Sequence, residues 1–210
     1  MNIIIFGATG LVGKELVKQA LLDGHQVKAF GRNVFVEDLP TNNKNLTLIQ
    51  GALFDAGQVF DAIKNCDAIL SALGGSTDGN DKTRSLGIKN IVTQMQKAHI
   101  QRIIAVGGLG VLNFDEDTLI LEQENYPAEY VAVGNEDLKA YEYLKASTVD
   151  WTFVCAPNII AAPASGSFTT QANYAPIINN NCIQAGDVAL FMLKEIAKNE
   201  YVKQRVGISN

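Results

Sequence analysis

An apolar segment from Asn2 to Phe6 runs without a break into Gly7-Ala8-Thr9-Gly10-Leu11-Val12-Gly13, after which Val12, Leu16, Val17, Ala20 and Leu21 recur at helical spacing. A strand that enters a Gly-x-x-Gly-x-x-Gly turn and opens a helix leaves the chain few options. The first two glycines allow a tight turn and close approach of the backbone to a pyrophosphate, and the third lets helix and strand pack together. The helix N-terminus adds unpaired N–H groups and partial positive charge, which suit an anion. A plain glycine-rich turn is the alternative, and the strand before it and the amphipathic helix after it argue against that.

The pattern then repeats. Asp23-Gly24 stops the helix before a second strand, Gln26 to Gly31, and a turn-rich stretch from Pro40 to Asn45 leads to a third, Leu46 to Gln50. A short helix from Ala56 to Lys64, a fourth strand from Asp67 to Ala72, a helical face of Ile88, Ile91, Val92 and Met95, and a fifth strand from Ile103 to Val106 follow. Strands alternating with crossover helices predict an α/β fold with a parallel sheet. Past Asn113 the pattern weakens into a long acidic connection reaching Tyr130, before a helix from Glu136 to Ala146 and a sixth strand from Trp151 to Cys155. After Pro157 the chain reads mostly as loop, until Asp187 caps a final helix and Tyr201 to Ile208 forms a closing strand. We therefore expect one domain over residues 1–210, with a core of 1–157 and a C-terminal extension of 158–210 on the substrate side.

Composition narrows the function. The 210 residues are 47% hydrophobic and 19% charged, with a net charge of −5 and no basic stripe, which argues against a nucleic-acid partner. A chain of this length buries roughly 70% of its unfolded surface and needs neither disulfide nor metal to fold. No apolar run approaches the ~18 residues of a membrane span, and the N-terminus lacks a leader pattern, so no membrane partner and a cytoplasmic location are expected. Cys66, Cys155 and Cys182 fit neither a disulfide framework nor a metal site and read as packed thiols.

The end of the second strand bears on which dinucleotide is bound. An NAD site usually places an acid about 20 residues on, to accept from the ribose hydroxyls, whereas this chain has Gly31-Arg32-Asn33. A guanidinium matches phosphate oxygens and cannot accept a hydroxyl. Arg32, with Asn33 beside it, thus favours NADP(H) over NAD(H), unless Arg32 is simply a solvated turn residue.

With Gly7 to Gly13, Arg32, Gly51-Ala52-Leu53-Phe54-Asp55, Leu70-Ser71-Ala72-Leu73-Gly74-Gly75 and Ser147 to Pro157, the chain resembles the atypical short-chain dehydrogenase/reductases, and within them the NAD(P)-binding, NmrA-like group that includes flavin reductase. The resemblance covers essentially the whole chain. It implies a Rossmann-type, doubly wound sheet in the order 3-2-1-4-5-6. It also implies that Asp55 binds the adenine amino group, that Ser71, Ala72, Leu73, Gly74 and Gly107 line the cofactor, and that Pro157, Asn158 and Ile159 pass beside the nicotinamide. Asp55 has a second reading as a helix N-cap, and Ser71 as a turn residue at a strand end.

Two departures from the group matter. The serine often found at the end of the fifth strand is absent from Val106-Gly107-Gly108-Leu109-Gly110, and the usual Arg-Pro after the sixth strand is Ala156-Pro157. Tyr141 and Lys145 have the spacing of the superfamily's catalytic pair, but they lie on the last turns of a helix returning to the opposite edge of the sheet. The places where the group carries its tyrosine and lysine hold Gly134 and Leu138. His25 and His99 follow helix ends at that same far edge. No catalytic residue is identified and no metal site is expected.

The chemistry most compatible with such a chain is hydride delivery from NADPH to a small planar acceptor that needs little proton help, such as a flavin, a quinone or a tetrapyrrole. A non-catalytic NADP-sensing regulator is the alternative; a nucleotide-sugar epimerase or dehydratase is disfavoured because the catalytic trio is missing. A monomer and a homodimer are equally open. Residues 103–138 carry eight carboxylates and no lysine or arginine, which suggests that 113–130 forms a lid over the nicotinamide end that discourages anions, if it is not merely a solvated loop.

Overall fold

The structure is a computed structural model that describes residues 1–35, 39–40, 42–76, 78–177 and 181–210. At its centre is β1 (Asn2–Phe6), whose Ile3, Ile4, Ile5 and Phe6 are fully buried because both faces of the strand are covered by helices. The glycine turn leads into α1 (Leu11–Leu22), which returns the chain to β2 (Gln26–Gly31) beside β1. β3 (Leu46–Gln50), α2 (Ala56–Ile63), β4 (Ala68–Ser71), α3 (Thr83–Ala98) and β5 (Arg102–Gly108) complete the first half. Two short 3₁₀ turns, Leu109–Val111 and Ile120–Glu122, lead to α4 (Ala128–Lys145) and β6 (Asp150–Ala156). The remainder forms β7 (Asn158–Ile160), β8 (Thr169–Ala172), β9 (Cys182–Gln184), α5 (Ala185–Lys198) and β10 (Gln204–Ser209).

The large sheet has the order β3-β2-β1-β4-β5-β6-β10-β8, parallel throughout except for β8, which runs against β10. Its first six strands follow the expected 3-2-1-4-5-6 order. α1 and α5 cover one face, packing Leu16, Val17, Val188 and Met192 on Ile3 and Ile5. α2, α3 and α4 cover the other, packing Ile63, Ile91 and Leu144 around Ile4, Phe6 and Phe153. Strand order reverses between β1 and β4, so the loops leaving their carboxyl ends diverge and open a crevice there.

Several expectations are corrected. The region after Pro157 contains three short strands, β7 and β9 paired in parallel and β8 extending the sheet; segments of three or four residues are too short to show alternation. The closing strand starts at Gln204, since Tyr201 to Lys203 form the turn before it. α4 starts at Ala128 rather than Glu136. Its first two turns hold Val131, Val133 and Gly134, weak helix formers, and its apolar side chains there meet a cavity, so the core-facing periodicity is missing. Asp187 is not the cap of α5: Gln184 is, and Asp187 sits in the first turn, fully buried. It accepts hydrogen bonds from Ser165 Oγ at 2.7 Å, the Gly166 amide at 2.8 Å and Asn210 Nδ2 at 3.2 Å, tying the loop before β8 to the chain end.

Candidate active site

A cavity of about 570 Å³ occupies the crevice at the carboxyl ends of β1, β4, β5 and β6. The turn before α1 contributes Gly10, Leu11 and Val12; the segment after β4 contributes Ala72, Leu73 and Gly74; Gly107 comes from β5, and Pro157, Asn158 and Ile159 follow β6. These ten residues, far apart in sequence, were each singled out from sequence pattern or resemblance, and the fold gathers them around one space.

The glycine turn explains itself in two parts. Gly7 has φ +76°, and a Cβ there would overlap the carbonyl of Ala72; a Cβ on Gly13 would overlap the carbonyl oxygen of Gly7. Those two glycines serve the packing of β1, α1 and β4 and do not line the cavity. Gly10 is different: a Cβ there comes no closer than 3.4 Å to anything, and one on Gly74 meets nothing within 4 Å. Protein packing demands no glycine at either place, so each leaves room on the cavity side. Gly10 is also the N-cap of α1 and offers no side chain to the helix's first amides. The result is a shallow cradle with unclaimed backbone donors, shaped for an anion.

The other sequence-predicted residues lie around this cradle. Thr9 is half-buried in the turn. Ser71 is 1% exposed in the sheet and stays beneath the cavity floor, so it does not join Ala72 to Gly74 in the lining. Arg32 and Asn33 are exposed just past β2, and among the described residues the Arg32 guanidinium has no partner; only its carbonyl is used, accepting from Gln50 Nε2 at 3.0 Å. Asp55 is the N-cap of α2, with Oδ1 accepting from the Gln58 amide at 2.9 Å and Oδ2 from Gln58 Nε2 at 3.0 Å. Capping uses one lone pair on each oxygen and leaves the others exposed.

The sequence offered 113–130 as a lid but identified none of the side chains that line the far wall. Tyr130, Val133, Gly134 and Asp137 form one face of α4 toward the cavity, joined by Ile120, Tyr126 and Pro127 from the preceding connection and by Arg84 from α3. The Tyr126 hydroxyl occupies a slot that exists because two residues lack side chains: a Cβ would lie 2.7 Å from it at Gly110 and 3.1 Å at Gly134. Burial, together with the nearby Asp137, pushes the Tyr126 phenol above its usual range. Asp137 accepts from the Gly108 amide at 3.1 Å and lies 3.4 Å from Arg84 Nε. Burial pushes its carboxyl up to about 7, although Arg84 and the Gly108 amide pull the other way.

Two acids read as part of an acidic surface are therefore internal. Glu136 is 2% exposed and takes Lys82 at 3.1 Å, Lys139 at 3.2 Å and a short bond from Ser85. The other six carboxylates of residues 103–138, Asp115, Glu116, Asp117, Glu122, Glu124 and Glu129, are exposed. Tyr141 packs on Trp151 and Phe153 at 5.7 and 6.2 Å between ring centres, under the Arg205 guanidinium. Neither it nor Lys145 lines the cavity.

Fold and cavity together are those of a Rossmann-type dinucleotide-binding protein, with an uncapped α1 N-terminus opening on the crevice at the strand carboxyl ends. The chain belongs to the NAD(P)H-binding family, whose model matches residues 7–199. It is 26% identical over 99% of its length to protein YwnB of Bacillus subtilis, of which it spans 98%. A candidate NADH-flavin reductase from Streptococcus pneumoniae has the same fold, with a TM-score of 0.84 at 24% identity over 99% of this chain and 98% of that one. A short-chain dehydrogenase/reductase from Veillonella parvula, solved with NADP, gives a TM-score of 0.78 at 18% identity over 100% and 94%. The chain spans only 36% to 55% of three longer curated relatives.

Proposed function

We propose that the chain is an NADP(H)-dependent reductase that passes hydride to a small planar acceptor, a flavin, quinone or tetrapyrrole. The observation that carries this reading is the cavity's two-part wall: an anion cradle at Gly10 and the α1 N-terminus, continuous with an apolar and aromatic chamber of Leu73, Val106, Ile120, Tyr126, Tyr130 and Ile159. Flat rings stack on such side chains. When bound, the reduced cofactor supplies the hydride. In this reading Gly7, Thr9, Gly10, Leu11, Val12 and Gly13 hold the pyrophosphate, Arg32 and Asn33 take the 2′-phosphate, and Asp55 offers its remaining lone pairs to the adenine amino group. Ala72, Leu73, Gly74 and Gly107 flank the cofactor, Ser71 props them from below, and Pro157, Asn158 and Ile159 run beside the nicotinamide. One domain then carries the whole site. We place it in the cytoplasm, where reduced cofactor is abundant; among the described residues no helix is long and apolar enough to cross a membrane.

A second reading, an NADP-sensing regulator without turnover, is favoured by one observation: Gly107, Gly108, Gly134 and Leu138 stand where the group places its serine, tyrosine and lysine. Turnover separates the two. Incubation with NADPH and a panel of flavins, quinones and dyes, followed by cofactor absorbance, gives sustained oxidation if the reductase reading holds and binding alone if the sensor reading does. For the cofactor, Arg32→Ala weakens NADPH by about 1.5 to 3 kcal/mol, the range for a hydrogen bond to a charged group, while NADH changes little. Equal losses for both cofactors would remove the NADP preference.

A further inference from the structure

Reduction of a flavin or quinone needs a proton as well as a hydride, and one group in the cavity wall is built to give it. Asp137 lies in the third turn of α4 on the face that lines the cavity, with 4% of its surface exposed. Oδ2 is fixed by the Gly108 amide at the end of β5. Oδ1 is buried and makes no hydrogen bond among the described residues; Arg84 Nε stands 3.4 Å away as an ion pair without hydrogen-bond geometry. A carboxylate held this way lacks partners for its remaining lone pairs, and that disfavours its charged form.

The groups around it support the same role. Arg84 faces it from α3, Tyr126 from the connection before α4, and Cys155 from β6, while its neighbour Glu136 is turned to Lys82, Lys139 and Ser85. Among these, Tyr126 is the rival donor because it also lines the cavity. Burial pushes its phenol above the ordinary phenol range, so Asp137, near 7, is the stronger acid. Cys155 is fully buried, and its thiol is pushed far up by that burial. His25 and His99 are absent from the lining.

We propose that the Asp137 carboxyl is the proton donor of this cavity, an inference that rests on the reductase reading. The acceptor takes one hydride, which carries two electrons, from the reduced nicotinamide, which is left oxidised. The Asp137 O–H bond breaks, and its proton forms a new O–H or N–H bond on the acceptor. The carboxylate left behind is held by Arg84 and the Gly108 amide until water returns a proton.

The test compares wild type, Asp137→Asn and Arg84→Gln in NADPH-dependent reduction of a neutral quinone across pH 5 to 9. Wild-type rate falls above an inflection near pH 7. Asp137→Asn, which keeps an acceptor for the Gly108 amide, loses that inflection and about a hundredfold in rate, the lower end for general acid catalysis. Arg84→Gln moves the inflection upward, since removing a cation makes the carboxyl a weaker acid. An infrared titration of the protein without cofactor provides the second readout: a carboxyl band titrating near pH 7 in wild type and missing in Asp137→Asn. A wild-type enzyme that turns over while Asp137→Asn keeps its rate and pH profile overturns the donor role alone. A wild type that leaves NADPH unoxidised with every acceptor tried overturns the reductase reading, and the donor role with it.

Discussion

Asp137 combines several physical effects at one atom group, and its stability consequence has a definite sign. Its folded pKa, near 7, exceeds the value of about 3.9 for an unfolded aspartate, so between those pH values the native state holds a proton that the unfolded chain has released. The contribution to stability is complete below about pH 4 and is lost as pH rises through about 7. Urea unfolding at pH 4 and pH 8 therefore shows wild type losing stability relative to Asp137→Asn by up to about 4 kcal/mol; parallel curves for the two proteins would contradict the assignment. Residues of this kind were not legible in the sequence. Gly7, Gly10 and Gly13 declare themselves because their fixed spacing between an apolar strand and an amphipathic helix is visible in the chain itself. Asp137, Arg84 and Tyr126 gain theirs only when α3, α4 and β5 converge, and in the chain Glu136 and Asp137 look like two more charges in an acidic run.

In the proposed reading cofactor binding turns on the N-terminus of α1, whose glycines have separable duties. Gly13→Ala drives a methyl group into the carbonyl of Gly7 and costs about 1 to 3 kcal/mol of stability, the usual penalty for overpacking. Gly10→Ala leaves the fold within about 1 kcal/mol of wild type, since helix capping by alanine is only somewhat poorer, yet places that methyl group in the cradle and abolishes NADPH binding. Thermal melts with calorimetric titration check both; a Gly10→Ala protein that binds NADPH normally would show that the cradle is not the phosphate site. At this scale the sequence was readable wherever an element packs on the core, as with β1, α1 and β4. It misled at the start of α4, whose first two turns face the cavity, and at α5, where Asp187 has a capping residue's chemistry but anchors Ser165, Gly166 and Asn210 instead.

Across the whole molecule, we propose that exposed negative charge disfavours anions at one end of the cavity. Six exposed carboxylates sit on the segment that also supplies Ile120, Tyr126 and Pro127 to the chamber, while Arg32 lies exposed beyond the cradle. Rising ionic strength screens that rim, so turnover of a phosphorylated flavin gains relative to a neutral quinone between low and physiological salt; an identical salt response for the two acceptors would remove the rim's influence. The 53 residues after Pro157 add β8 and β10 to the sheet edge and Asn158, Ile159 and Asn181 to the cavity wall. The central claim is that this cleft transfers hydride from NADPH. Rapid mixing of the preformed protein–NADPH complex with excess neutral quinone tests it directly, with cofactor absorbance as the signal. The account predicts a decay whose rate saturates with quinone and whose amplitude accounts for all bound cofactor; NADPH that stays bound and unoxidised with every acceptor would contradict it.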